Sequence, residues 1–220
     1  MKPLFKKHKK EDRAETGIGT MIIFIAMVLV AGIAASVLIQ TSSRLQSQAM
    51  TTGQETTSEV ATGLSVEGVQ GYAATTEEIK YLAIEIRPRQ GSQEIDLSEA
   101  LVTLSNSSTQ LVLTYNSAVF TAKTDINGDL FASTSYDGLD ANQFGIIVCE
   151  DADGSCESLT PVINRGDKVI LTVNVGDSDG FNKIAERIDI SGSVIPEEGS
   201  PGIIAFRTPS SYTDNVMILQ

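Results

Sequence analysis

Gly17-Ile18-Gly19-Thr20-Met21-Ile22-Ile23-Phe24-Ile25-Ala26-Met27-Val28-Leu29-Val30-Ala31-Gly32-Ile33-Ala34-Ala35-Ser36-Val37-Leu38-Ile39 decides the fold of this chain. It lies inside a run of 28 residues without charge, from Thr16 to Ser43. As a helix, that run is about 42 Å long. A bilayer core is crossed by about 20 apolar residues, so the run suffices. Its apolar side chains occupy every side of the helix, and no face suits water.

The flanks differ sharply in charge. Lys2, Lys6, Lys7, Lys9, Lys10 and Arg13 stand against Glu11 and Asp12, a net +4 over residues 1–14. The whole chain carries −12, which leaves −16 for the rest. A basic tip before an apolar run reads as a cytoplasmic anchor for insertion, with the acidic remainder outside. The acidic balance excludes nucleic-acid binding, which needs a basic face. Residues 1–14 read as a leader. The apolar run exceeds the 7–15 residues of an ordinary secretory signal, although Ala34-Ala35-Ser36 resembles a cleavage site.

The single histidine, His8, sits in the basic tip. The remainder therefore lacks Ser-His-Asp and Cys-His catalysis and any His-based metal site. No Gly-rich phosphate loop or nucleophile elbow is present, so no enzyme is expected. Cys149 and Cys156 are too few for a zinc site and are compatible with one disulfide outside the cell.

After Gln40 the chain turns polar yet keeps helical spacing at Leu45, Ala49, Val60 and Leu64. The spacing predicts one long helix from about Ile18 to Val69, weakened by Gly53 and Gly63. Beyond Glu77 the period becomes two. Leu82, Ile84 and Ile86 share a face, as do Val169, Leu171, Val173 and Val175. Further strand candidates are 101–104, 110–115, 118–122, 130–133, 144–149, 187–194, 202–207 and 216–219. Short strands punctuated by Gly, Asn, Asp and Ser predict an antiparallel β-sandwich or barrel. The expected organisation is α+β: a leader at 1–14, a hydrophobic helix at 15–71, and an immunoglobulin-like β-sandwich at 72–220.

Two local motifs carry candidate chemistry. Asp125, Asn127 and Asp129 place oxygens at positions 1, 3 and 5 of a Ca²⁺-type loop. Leu130 replaces the required glycine and no Glu follows at position 12, whereas Asn127-Gly128 is a strong hairpin signal. The plain turn is the favoured reading. Asn106-Ser107-Ser108 is the one N-x-[ST] sequon, an N-glycosylation candidate at a strand end.

The order of residues in Gly17-Ile18-Gly19-Thr20 and Phe24-Ile25-Ala26-Met27-Val28-Leu29-Val30-Ala31 closely resembles the N-terminus of archaeal flagellins (archaellins). Ser36-Val37-Leu38-Ile39-Gln40-Thr41 and Gln46-Ser47-Gln48-Ala49 continue the resemblance. Val194-Ile195-Pro196-Glu197, Gly199-Ser200-Pro201-Gly202-Ile203-Ile204 and Phe206-Arg207-Thr208-Pro209 are similar to the family's ending. Residues 92–167 are not diagnostic.

The resemblance implies a precursor whose leader is removed by a prepilin-peptidase-like membrane enzyme, here between Ala14 and Glu15. The family's usual Gly before the cut is Ala14 in this chain. It implies that Gly17, Ile18, Gly19, Phe24, Ala26, Val30, Gly32, Ala35 and Leu38 pack in the core of an extracellular swimming filament. The partners would be further copies and other archaellins. The membrane would be a stage before assembly only. No cofactor is implied. The competing readings are an adhesion-pilus subunit processed the same way and a permanently anchored β-sandwich receptor.

Overall fold

The computed structural model describes residues 8–74, 78–125, 128–131, 135–136, 138–178 and 180–220, with residues 8–15 as helical backbone. Two compact units divide the chain, residues 1–54 and 55–220.

Helix α1 runs from His8 to Ala61. Its hydroxyl residues bond back to the preceding turn. Thr20 Oγ1 donates to Gly17 O at 2.9 Å, and Thr41 Oγ1 to Val37 O at 2.9 Å. Such bonds satisfy hydroxyls without water.

The helix stops ten residues short of the predicted 71, and the segment that follows is a strand. Thr62 N–H still donates to Ser58 O, at 2.8 Å, the last helical bond. Gly63 then leaves the helix. Its N–H donates to Ser92 Oγ at 3.0 Å, and its carbonyl accepts from Arg89 N–H at 2.8 Å. Leu64, in phase with the helix by spacing alone, begins β1 (Leu64–Tyr72) and is fully buried in the sheet core. Gly68 stands at a bulge after Val66, so strict alternation is broken and the strand was hidden.

Ten more strands follow: β2 (Tyr81–Pro88), β3 (Ile95–Asp96), β4 (Leu101–Asn106), β5 (Thr109–Thr121), β6 (Gln143–Glu150), β7 (Val162–Ile163), β8 (Lys168–Asn174), β9 (Asp189–Ile195), β10 (Gly202–Arg207) and β11 (Val216–Ile218). Nine form one sheet in the order β10-β9-β4-β5-β6-β8-β2-β1-β11, and β3 pairs with β7. All pairings are antiparallel except β5 with β6, which is parallel.

The two predicted strands at 110–115 and 118–122 are one strand, β5. Asn116-Ser117 is a bulge between them rather than a turn. Asn116 makes the detour self-sufficient: its Nδ2 donates to Gln143 Oε1 at 2.7 Å and its Oδ1 accepts from Ala118 N–H at 3.0 Å. The first half of β5 pairs with β4 and the second half with β6. β5 therefore belongs to both layers, and the sheet folds over there to close one core.

That core takes Leu82, Ile84 and Ile86 from β2, Ile146 and Val148 from β6, Val169, Leu171 and Val173 from β8, and Val194 and Ile204 from the other layer. The opposite face of β2, β6 and β8 is also covered. Ala83, Ile147 and Ile170 pack there with Leu130 and Phe131. Thr172 Oγ1, on that face, donates to Ser135 O at 3.0 Å. Leu130, Phe131 and Ser135, from the connection between β5 and β6, thus lie against the sheet. The predicted strand at 130–133 is not one where it is described: Leu130 and Phe131 form a bend, and 132–133 lie outside the described residues.

Candidate functional site

The most unusual described surface is that of α1. Every large apolar side chain from Ile18 to Ile39 is more than half exposed, from 53 % at Val37 to 70 % at Met21. No described residue of unit 1 covers them. The expected core positions Ile18, Phe24, Val30 and Leu38 are 63 %, 68 %, 66 % and 68 % exposed. Gly17, Ala26, Gly32 and Ala35 are exposed too, and Gly19 is half-buried. A Cβ added at Gly17, Gly19, Gly32 or Gly53 would meet nothing within 4 Å. These glycines weaken an isolated helix, and no contact among the described residues of unit 1 requires them. Small residues on an apolar helix instead let a second backbone approach closely. Ala14 and Glu15 lie on the helical backbone.

Asn106 ends β4 at a two-residue turn into β5. Its Oδ1 accepts from Ser108 N–H at 3.0 Å and Thr109 N–H at 2.7 Å. The amide oxygen holds the turn, and Ser107 and Ser108 are exposed beside it.

Cys149 and Cys156 are both free, contrary to the expected disulfide. Strand alternation is the reason. Cys149 packs with Ala83, Ile147 and Ile170, whereas Cys156 lies in the main core with Ile146 and Val148. Burial pushes the Cys149 thiol up, with Glu85 adding to it. Burial, with Asp151 and Asp167 nearby, pushes Cys156 up to about 12. Neither is a reactive thiolate near neutral pH.

Asn127 lies outside the described residues. Asp125 ends a short 3₁₀ turn, Lys123–Asp125, and Asp129 Oδ1 accepts from Phe131 N–H at 3.1 Å. The loop is bonded as a turn. A carboxylate cluster occurs elsewhere: ligand oxygens of Asp151, Asp153 and Asp167 lie within 4.8 Å of one another. Such oxygens are the donors a hard divalent cation takes. The chain also satisfies them itself. Asp167 accepts from Ala152 N–H and Asn164 N–H, at 3.3 and 2.9 Å. Asp151 accepts from Gly154 N–H at 2.7 Å. The Asn164 side chain, then Ser155, hold Asp153 below the usual carboxylate range. In sequence, 151–155 read only as a turn between cysteines. Asp167 is distant along the chain and arrives through the β6–β8 pairing.

Comparison with known proteins agrees with the helix and the sheet. A sequence model of the family described as archaeal-type flagellin matches residues 14–206. The chain is 46 % identical over 211 residues to flagellin B2 of Methanocaldococcus jannaschii, covering 96 % of each. It is 40 % identical over 254 residues to flagellin B3 of Thermococcus kodakarensis, covering 96 % of this chain and 98 % of that one. The crystal structure of archaeal flagellin FlaB1 from M. jannaschii superimposes with a TM-score of 0.64 at 38 % identity, over 73 % of this chain and 98 % of that one. The archaeal flagellum of Methanospirillum hungatei gives the same TM-score at 13 % identity, over 91 % of this chain and 98 % of that one, a likeness of fold. The chain belongs to the archaeal-type flagellin family and is a structural filament subunit, not an enzyme.

Proposed function

We propose that this chain is inserted in the membrane as a precursor, is cut between Ala14 and Glu15 by a prepilin-peptidase-like enzyme, and then assembles through α1 into the extracellular swimming filament of an archaeal cell. One observation carries the reading: the charge-free run of α1 exposes all its large apolar side chains. Burying such a side chain is worth about 1.5–3 kcal/mol, so the run cannot rest in water. Lipid satisfies it before assembly, and copies of the same helix satisfy it afterwards. Gly17, Gly19, Gly32, Ala26 and Ala35 are the positions of close helix approach.

The β-sandwich faces the surroundings of the filament, with other archaellins as co-subunits. Asn106, in its exposed hairpin, is the glycan acceptor. The Asp125–Asp129 loop serves as a turn and holds no calcium. Calcium titration by calorimetry tests that point: Asp125→Ala leaves the heat unchanged if the loop is only a turn, and a heat lost on that substitution contradicts it.

The test of the main reading is negative-stain microscopy of filaments sheared from cells, labelled with antibody to the β-sandwich. Regular label along the filament supports the proposal. Filaments free of label, with the chain confined to the membrane, overturn it.

A further inference from the structure

Residues after Ala14 hold only ten cations in a region of net charge −16. Three of these, Arg87, Arg89 and Arg165, line one cleft of about 710 Å³. Glu67 shares the cleft and pairs with Arg87 at 3.2 Å. Among the described residues Arg89 and Arg165 have no ion pair. A second cleft, of about 230 Å³, is lined by Glu94, Asp96, Glu197 and Glu198 and by no cation. Asp96 accepts from Ser98 N–H at 2.8 Å. Glu94, Glu197 and Glu198 have no ion pair among the described residues.

One short segment, Thr62–Leu64, is hydrogen-bonded both to Ser92 and Arg89 and to Ser200. In extended backbone, successive residues direct their N–H and C=O groups to opposite edges. Gly63 points to Ser92 and Arg89, which line the arginine cleft. Thr62 O accepts from Ser200 N–H at 2.9 Å, and Leu64 N–H donates to Ser200 O at 3.0 Å. Ser200 lies two residues beyond Glu198 of the acidic cleft, with Gly199 between them. The two clefts share no lining residue and are separate patches of opposite charge.

We propose that the arginine cleft of one subunit receives the acidic Glu197-Glu198 rim of the next copy of this chain. The inference rests on the filament reading above and adds a contact to it. Copies of so acidic a unit repel one another, and a concentrated cationic cleft is where that repulsion reverses. A cationic patch that receives a different, anionic patch makes a heterologous, head-to-tail contact. Such contacts repeat without closing when the rotation does not return on itself, which is what a helical filament requires. A symmetric pairing of either cleft with itself sets like charges together and is disfavoured.

The experiment uses filaments sheared from cells making the full-length chain. It compares the parent with Arg89→Glu/Arg165→Glu, with Glu197→Arg/Glu198→Arg, and with all four substitutions together. Subunit in the membrane fraction is measured by immunoblot, which reports folding and insertion separately from assembly. The contact predicts that each pair lowers filament yield by about tenfold or more at an unchanged membrane level. The combined variant returns to within about twofold of the parent, because the charges are exchanged and still complementary. Yields unchanged by either pair, or no recovery in the combined variant, overturn the contact while leaving the filament reading intact. A parent that forms no filaments overturns both.

Discussion

Cys149 and Cys156 lie seven residues apart and pack on opposite faces of one β layer, Cys149 half-buried against Ile147 and Ile170, Cys156 buried in the core with Val148. The loop between them is short enough to suggest a bridge, but the alternation of β6 directs the thiols apart. Intact mass after alkylation in denaturant checks this. The chain takes up two alkyl groups with or without prior reductant. A mass that changes only after reduction contradicts the structure.

The same burial makes stability depend on alkaline pH. The Cys156 thiol moves from 9.0 to about 12 on folding, first through burial and then through Asp151 and Asp167. A raised folded-state pKa means that the folded chain keeps a proton the unfolded chain loses. The contribution is fully present below pH 9 and is lost as pH rises towards 12. Urea midpoints across this window should fall, and fall less in Cys156→Ala. An identical slope in the variant would show that Cys156 does not contribute.

Gly199 sits at φ +98°, and a Cβ there would meet Thr62 O at 2.3 Å. Both the backbone conformation and the close approach exclude a side chain. Gly199→Ala should cost at least about 1–2 kcal/mol, seen as a lower unfolding temperature of the detergent-solubilised chain. Gly154, also at positive φ (+77°), has nothing within 4 Å of a Cβ and serves as the control for strain alone. Equal losses at the two positions would show that the approach to Thr62 is immaterial.

A Cβ added at Gly32 would meet nothing within 4 Å among the described residues. Gly32→Leu should therefore leave the isolated subunit as stable as before, or raise helix stability by up to about 1 kcal/mol. If α1 packs closely against copies of itself, the same change reduces filament yield while the membrane level of subunit holds. Normal filaments from Gly32→Leu would remove Gly32 from the packing surface.

The sequence made some features legible and hid others for physical reasons. The apolar run of α1 is visible because a helix that is oily all round has few other uses. The central strand β2 is visible by its alternation, and β6 and β8 stand out as short apolar runs, because both of their faces are covered. β1 was concealed by its glycines and by Leu64, whose position suits both a helix and a strand. Asn116-Ser117 has the composition of a turn, yet Asn116 bonds its own bulge and β5 continues. The grouping of Asp151 and Asp153 with Asp167, and of Arg87 and Arg89 with Arg165, depends on sheet pairing. Local sequence carries no trace of such pairing. The charge asymmetry between the first 14 residues and the remainder needed only counting.

The central claim is that α1 leaves the membrane and becomes the assembly element of a filament. N-terminal sequencing of the subunit in sheared, purified filaments tests it most directly. The account predicts filaments whose subunit begins Glu15-Thr16-Gly17-Ile18-Gly19. Filaments whose subunit begins at Met1, or a chain recovered from membranes alone with no filament, would contradict it.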